Sequence, residues 1–356
     1  MATTEGQTRL SVLIASPLEE EHVCRIADVA PDRVDIVYEP DLLPPTRYVA
    51  DHKGVSSYRH TAEQSARWRA HISTADILFD FPFGSFDGKG RMDGANNVKW
   101  IQTTSTGVGQ LVKRLGLHNT DLLVTTARGV HAGPLAEFVF FGLLCYVKRL
   151  NHLVAEQRVR SWNRFCGDEL AGKTLGIIGA GEIGQRVATV ARCFGMGVVM
   201  LASPGSSKTV LDHGVDELFQ SSELHTMLSK VDAVVLAIPH TPDTENLIDE
   251  TAIAAMKHGS ALINVARGQV IDEAALIEAL RSGQIAFAAL DVFQVEPLPS
   301  DSPLWSMSNV LVSPHSASTV FSENSKIVDI FCHNLRCYVD GRYKDMRNVL
   351  DKARMY

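Results

Sequence analysis

The sequence predicts an α/β fold made of two Rossmann-like, doubly wound parallel-sheet domains with a cleft between them. Three observations carry this expectation. Strand-length apolar runs alternate with helix-length segments almost throughout, with no block of strands alone or helices alone. A strand–turn–helix passage rich in glycine, TLGIIGAGEIGQRVA at 174–188, stands in mid-chain. The length, 356 residues, suits two domains at roughly 100–200 residues each.

In chain order, LSVLIAS (10–16), VDIVYE (34–39), DILFDF (76–81), VKWIQTT (98–104) and DLLVTT (121–126) read as strands. Their shortness and β-branched content fit buried parallel strands. The glycine-rich stretch 82–94 reads as one long loop. The segment 134–159 reads as a long helix, nearly apolar all round in its first half, and so as a helix buried between domains. Strands follow at 174–180, 198–202, 233–239, 261–266, 286–293 and 310–313, with helical patterns at Ile183–Cys193 and Glu273–Ser282. The last helix is expected over Glu323–Tyr338.

Composition narrows the class. Lys and Arg number 34 and Asp and Glu 41, a formal charge of −7. That balance disfavours nucleic acid and anionic membrane surfaces as partners. Hydrophobic residues at 45% and charged residues at 21% exclude global disorder. The six cysteines show no CxxC pair and all lie in or near apolar runs. They suggest buried thiols in a reducing compartment, with no disulfide framework and no metal site. The N-terminus lacks the basic and apolar regions of a signal peptide. The longest apolar stretch, Phe138–Val147, has ten residues, about half a membrane span. The expected location is the cytoplasm.

The glycine passage is a dinucleotide fingerprint. Gly179 permits the tight turn, Gly181 lets a pyrophosphate approach the backbone, and Gly184 lets the helix pack on the strand. The helix start then offers free N–H groups and partial positive charge to phosphate. An acidic residue about 20 positions on would bind the ribose 2′-hydroxyl. Instead, the strand at 198–201 runs into Ala202-Ser203-Pro204-Gly205-Ser206-Ser207-Lys208, without an acid. A carboxylate would repel a 2′-phosphate, so its absence removes the usual bar to NADP. Ser203, Ser206 and Lys208 are suited to that phosphate; the plainer reading of Lys208 is a solvated loop lysine. NADP(H) is favoured over NAD(H).

Three further motifs stand at the carboxyl ends of expected strands, on the ligand side of such a sheet. INVARGQVIDE carries Arg267, LDVFQVEPLP carries Asp291 and Glu296, and LVSPHSAS carries His315. With the blocks GVHAGPLAEFV, ELAGKTLGIIGAGEIGQRVA, IPHTPDTENLI, AALDVFQVEPLPSDSPLW and RNVLD, they give the chain a resemblance to the D-isomer-specific 2-hydroxyacid dehydrogenases. It runs over nearly the whole length and is strongest from about 130 to 320.

The resemblance implies that Arg267, Glu296 and His315 form the catalytic set. The residue types suit the reduction of a 2-keto acid. A histidine can give and take a proton near neutrality. A glutamate can hold its tautomer and favour its charged form. An arginine can bind the substrate carboxylate and polarise the keto group. The resemblance also implies cofactor contacts at Glu182, Ile183, Pro239, Thr244, Ala266, Arg267 and Asp291, the last hydrogen-bonded to the carboxamide. It places the substrate carboxylate at Arg267 and at backbone N–H groups of Thr106 and Gly107. The family often has Asp where Gly109 stands, and the glycine loosens that loop. Phe81 and Phe83 hint at an apolar substrate side chain, or pack in the core.

The implied organisation is a flavodoxin-like substrate domain of residues 1–130 plus 320–356 and a dinucleotide domain of 131–319. The implied partners are a small 2-keto or 2-hydroxy acid, of glyoxylate or hydroxypyruvate type or larger, and a second copy in a homodimer. Two alternatives stand beside this. A non-catalytic dinucleotide sensor of the family's corepressor branch would keep the same motifs. A formate dehydrogenase would carry Gln where Glu296 stands.

Overall fold

The computed structural model describes residues 9–83, 94–202 and 209–353. Two compact units emerge, one of Met1–Val130 with Thr319–Tyr356 and one of His131–Ser318.

The first unit holds a five-stranded sheet of β1 (Leu10–Ile14), β2 (Val34–Val37), β3 (Ile77–Phe79), β4 (Trp100–Gln102) and β5 (Leu123–Thr125). Every pairing is parallel and the order is β2-β1-β3-β4-β5. The helix Glu323–Val339 returns to this sheet from the far end of the chain. Its Phe331 stacks on Trp100 at 5.1 Å and meets Phe79 edge-on at 5.2 Å. A buried polar chain fixes the register of that return. Trp100 Nε1 donates to the Thr125 hydroxyl (2.8 Å), which donates to Gln102 Oε1 (2.7 Å). Asn334 Nδ2 donates to the same Gln102 oxygen (3.3 Å) and to the Arg347 carbonyl (3.0 Å), while Asn334 Oδ1 accepts from the Arg347 N–H (2.7 Å). Apolar packing alone would let the helix slide. Polar groups this deep must find these partners or lose free energy.

The second unit holds seven parallel strands: β6 (Thr174–Ile178), β7 (Gly197–Leu201), β8 (Glu217–Phe219), β9 (Ala233–Leu236), β10 (Ser260–Asn264), β11 (Ile285–Leu290) and β12 (Val310–Val312). The order is β12-β11-β10-β9-β6-β7-β8. The reversal falls between β6 and β9, the switch point at which ligands bind in such sheets. Five of these strands, β6, β7, β9, β10 and β11, are almost wholly buried, as parallel strands covered on both faces must be.

Three expectations need correction. The segment 134–159 is two helices, Ala132–Val147 and Leu150–Arg158, bent by 62°. The chain breaks where Arg149 adopts φ +54°. There the Val147 carbonyl accepts from the Asp168 N–H (2.8 Å) and Lys148 Nζ donates to the Asp168 carbonyl (2.8 Å), so a later segment caps the first helix. The first of the two helices lies in the core of the second unit, through Ala136, Val139, Leu143 and Val147. Strand β8 was not foreseen: this edge strand, Glu217-Leu218-Phe219, opens on an exposed glutamate and has no apolar run to mark it. The cysteines are not all buried. Cys24, Cys166 and Cys193 are exposed, Cys145 is partly buried, and Cys332 and Cys337 are buried. In the helix Glu20–Ala27 the buried positions are His22 and Ile26, so Cys24 lies on the other face of an apolar-looking run.

Asn334→Leu should lower the unfolding free energy by about 2–4 kcal/mol, because it strands the Arg347 peptide groups without partners. Urea unfolding measures this; a change near zero would contradict the keying role.

Candidate active site

The loop after β6 is built by contact distances. A Cβ on Gly179, whose φ is +121°, would lie 2.3 Å from the Ala237 carbonyl oxygen. A Cβ on Gly184 would lie 1.9 Å from the Gly179 carbonyl oxygen. Both glycines are needed for protein packing: Gly179 brings the loop after β6 against the loop after β9, and Gly184 seats the following helix on Gly179. Gly181 differs: it caps the helix Glu182–Cys193, and a Cβ there would meet nothing within 4 Å. The space beside Gly181 and the uncapped N–H groups of the first turn, at Glu182 and Ile183, suit a pyrophosphate. This arrangement fits a dinucleotide cofactor.

Around it, Pro239 ends the segment after β9, and its carbonyl accepts from the Thr244 hydroxyl (2.8 Å). That hydroxyl also accepts from the Thr241 N–H (2.8 Å), so Thr244 closes the loop on itself. Ser203 and Lys208 lie outside the described residues.

The loop after β10 carries Arg267. Buried Asn264, the last residue of the strand, clamps it from both sides. Its Oδ1 accepts from the Ala266 N–H (2.9 Å) and its Nδ2 donates to the Arg267 carbonyl (3.0 Å). Arg267 Nη1 donates to the Ala266 carbonyl (2.7 Å). Gly268 then crosses the next loop so closely that a Cβ would lie 1.8 Å from the Phe293 carbonyl carbon. That crossing draws the arginine loop onto the loop that carries Glu296.

The loop after β11 carries Asp291 and Glu296. Asp291 is 2% exposed. Its Oδ1 accepts from the Ser313 hydroxyl (2.6 Å), the Ser316 N–H (2.9 Å) and the Ala317 N–H (3.0 Å), and its backbone carbonyl accepts from the His315 N–H (2.9 Å). The turn after β12 is thereby fixed, with His315 at φ +54°, a conformation unusual for a non-glycine residue. The imidazole points to Glu296: Nδ1 to Oε2 is 2.8 Å. Glu296 Oε1 accepts from the Phe293 N–H (3.1 Å). Both side chains keep partial access to solvent, 47% for His315 and 36% for Glu296.

The charges follow from this geometry. Burial pushes the Glu296 carboxyl up, but the His315 hydrogen bond, the Phe293 N–H and the Arg267 charge outweigh it, and the group is held below the ordinary glutamate value. An ionised carboxylate only accepts, so Nδ1 carries the proton and Nε2 is left for a ligand. Burial pushes the Asp291 carboxyl up in spite of its donors. Burial also lowers the Arg267 guanidinium from its ordinary value, against the pull of Glu296 and Asp291, and an arginine keeps its charge through such a shift. The second unit thus joins a fixed cation with a carboxylate-held imidazole. It can receive an anionic group and exchange a proton next to it.

Thr106 and Gly107 belong to the first unit. They lie in the exposed turn after β4, and Thr106 O accepts from the Val108 N–H (3.1 Å). Asn264, Gly268 and Ser313 were not singled out in sequence; the only local hint was their place beside Arg267 and His315 in the motifs.

A family model described as "D-isomer specific 2-hydroxyacid dehydrogenase, NAD binding domain" matches residues 140–317. The chain is 35% identical over 263 residues to a glyoxylate reductase of Thermofilum pendens, covering 70% of this chain and 74% of that one. It is 37% identical over 240 residues to a D-3-phosphoglycerate dehydrogenase of Mycobacterium leprae, covering 64% of this chain and 44% of that one. The structure superposes with a TM-score of 0.75 on a D-isomer specific 2-hydroxyacid dehydrogenase of Xanthobacter autotrophicus Py2 solved with NADPH, at 27% identity over 98% of this chain and 100% of that one.

The depressed Glu296 carboxyl gives a pH prediction. Its charge, and the bond to His315, should persist as pH falls through the ordinary glutamate range and be lost only below it. Carbon-13 NMR of the Glu296 carboxyl reads its midpoint directly. A midpoint at or above the ordinary value would contradict the balance of charges described.

Proposed function

Since the chain belongs to the D-isomer-specific 2-hydroxyacid dehydrogenase family, we propose that it reduces 2-keto acids of the glyoxylate or hydroxypyruvate type, or larger, to D-2-hydroxy acids, with NADP(H) preferred to NAD(H). The observation that carries the reading is the His315–Glu296 pair, 2.8 Å apart, electrostatically coupled to Arg267.

When bound, the nicotinamide cofactor supplies the hydride. His315 Nε2 gives the proton to the keto oxygen as the alkoxide forms. Glu296 keeps the Nδ1–H and stabilises the imidazolium before transfer. Arg267 binds the substrate carboxylate and draws electron density from the keto carbon. Asp291 holds the turn of His315 through Oδ1 and would also hydrogen-bond the cofactor carboxamide. The N–H groups of Glu182 and Ile183 receive the pyrophosphate beside Gly181, and Pro239, Thr244 and Ala266 line the cofactor. Ser203 and Lys208 bind the 2′-phosphate, a reading supported by the missing acid after β7.

Residues 131–319 serve as the dinucleotide domain, and residues 1–130 with 320–356 as the substrate domain, whose Thr106 and Gly107 N–H groups hold an acid group. The protein works in the cytoplasm as a homodimer. Exposed Phe141, Leu153, Val159 and Trp162, all in the second unit, are the apolar side chains for a partner copy to cover.

The test is kcat/KM for glyoxylate, hydroxypyruvate, pyruvate and bulkier keto acids, each with NADPH and with NADH. Turnover is expected, and it should be higher with NADPH. No turnover with any acid despite tight cofactor binding would overturn the enzyme reading, and a preference for NADH would overturn the cofactor reading.

A further inference from the structure

In the first unit the strand order reverses between β1 and β3, because β1 pairs with β2 on one side and β3 on the other. A ligand crevice in a doubly wound sheet opens at the carboxyl ends of the strands flanking such a reversal. The residue that follows β3 there is Asp80. It has φ +69°, a left-handed conformation that aspartate tolerates better than most side chains. Its N–H donates to the Gln102 carbonyl (2.7 Å). Its carboxylate accepts from the Phe81 N–H at Oδ1 (2.9 Å) and from the Thr104 hydroxyl at Oδ2 (2.7 Å). Thr104 is buried, and it opens directly into the exposed turn Ser105–Gly107.

Both donors to Asp80 are neutral. Among the described residues no Lys, Arg or His pairs with it, although the first unit forms ion pairs freely elsewhere, as at Arg47–Asp51 and Arg67–Asp41. A carboxylate without a paired cation among the described residues therefore sits one hydrogen bond from Thr104, which leads into the turn assigned to the substrate's acid group. A site that had to accept a second anion would carry a cation here.

We propose that Asp80 is a specificity-determining residue: a charge filter that admits 2-keto acids whose one negative charge is the reacting carboxylate and rejects those with a second carboxylate or a phosphate. A tail ending in a hydroxyl or a cation is favoured, because it can donate to the carboxylate. The inference deepens the proposed function and rests on the reading of the first unit as the substrate domain.

The experiment compares kcat/KM for hydroxypyruvate with that for 3-phosphohydroxypyruvate, which differs from it by one phosphate. The wild type should prefer hydroxypyruvate. Asp80→Asn should raise the phosphorylated-to-plain ratio by about tenfold, the scale of one unit charge removed at several ångströms. Asp80→Glu, which keeps the charge, should leave the ratio low. In the wild type the ratio should climb with ionic strength, as screening weakens the repulsion. A wild type that favours the phosphorylated acid, or a ratio that Asp80→Asn leaves unmoved, would overturn the filter. If Asp80→Asn does not fold, the salt dependence of the wild type decides, and a ratio indifferent to salt overturns the proposal. Absence of turnover with every keto acid is a different result: it brings down the enzyme reading, and the filter with it.

Discussion

Asp291 Oδ1 accepts three hydrogen bonds, all 2.6–3.0 Å, from Ser313, Ser316 and Ala317, while the same residue's carbonyl accepts from the His315 N–H. The position of the imidazole depends on this. His315 sits at a positive φ that the chain would not hold unaided, and four bonds to one buried residue over-determine it. Without Asp291 the turn after β12 has no reason to present His315 to Glu296. The cost is a carboxylate buried at 2% exposure, which three donors relieve only in part.

The other constraint is close approach of backbone. Gly179 lets the loop after β6 lie against the loop after β9, Gly184 lets the helix Glu182–Cys193 start against Gly179, and Gly268 lets the arginine loop cross the loop after β11. Each contact is closer than any side chain allows. Through them, residues separated by tens of positions converge at one sheet edge. The electrostatics follow: against the push of burial, the His315 hydrogen bond first, then the Phe293 N–H and the Arg267 charge, hold Glu296 in its charged form, and Glu296 directs the proton on His315 to Nδ1. In a protein of net charge −7, binding an anionic cofactor and an anionic acid requires such local positive potential, at Arg267 and at the start of the helix Glu182–Cys193.

Much of the fold was legible because buried parallel strands are continuous apolar runs, as at β6, β9, β10 and β11. Strand β8 was not, since Glu217-Leu218-Phe219 opens on an exposed glutamate and shows no apolar run, unlike the equally short edge strand Val310–Val312. The break at Arg149 was not legible either, because Asp168, some twenty residues later, makes it. Of the site, the glycine loop, Arg267, Glu296 and His315 stood out as motif residues whose chemistry is written in their side chains. Ser313 was silent because it acts by a hydrogen bond to Asp291, twenty-two residues away, which only the fold brings near. Asn264 was silent because its side chain bonds only to backbone groups of its own loop, which a side-chain motif does not display. The setting of Asp80 was equally hidden, since the lack of a pairing cation among the described residues becomes visible only when neighbours in space are known.

The central claim is that His315, held by Glu296 and Asp291, delivers the proton to a keto oxygen. Chemical rescue of His315→Ala tests it most directly. Hydroxypyruvate reduction should fall by about 100- to 10,000-fold, NADPH binding followed by fluorescence should persist, and added imidazole should restore part of the rate. A variant that stays nearly fully active, or that loses NADPH binding along with turnover and is not rescued by imidazole, would contradict it.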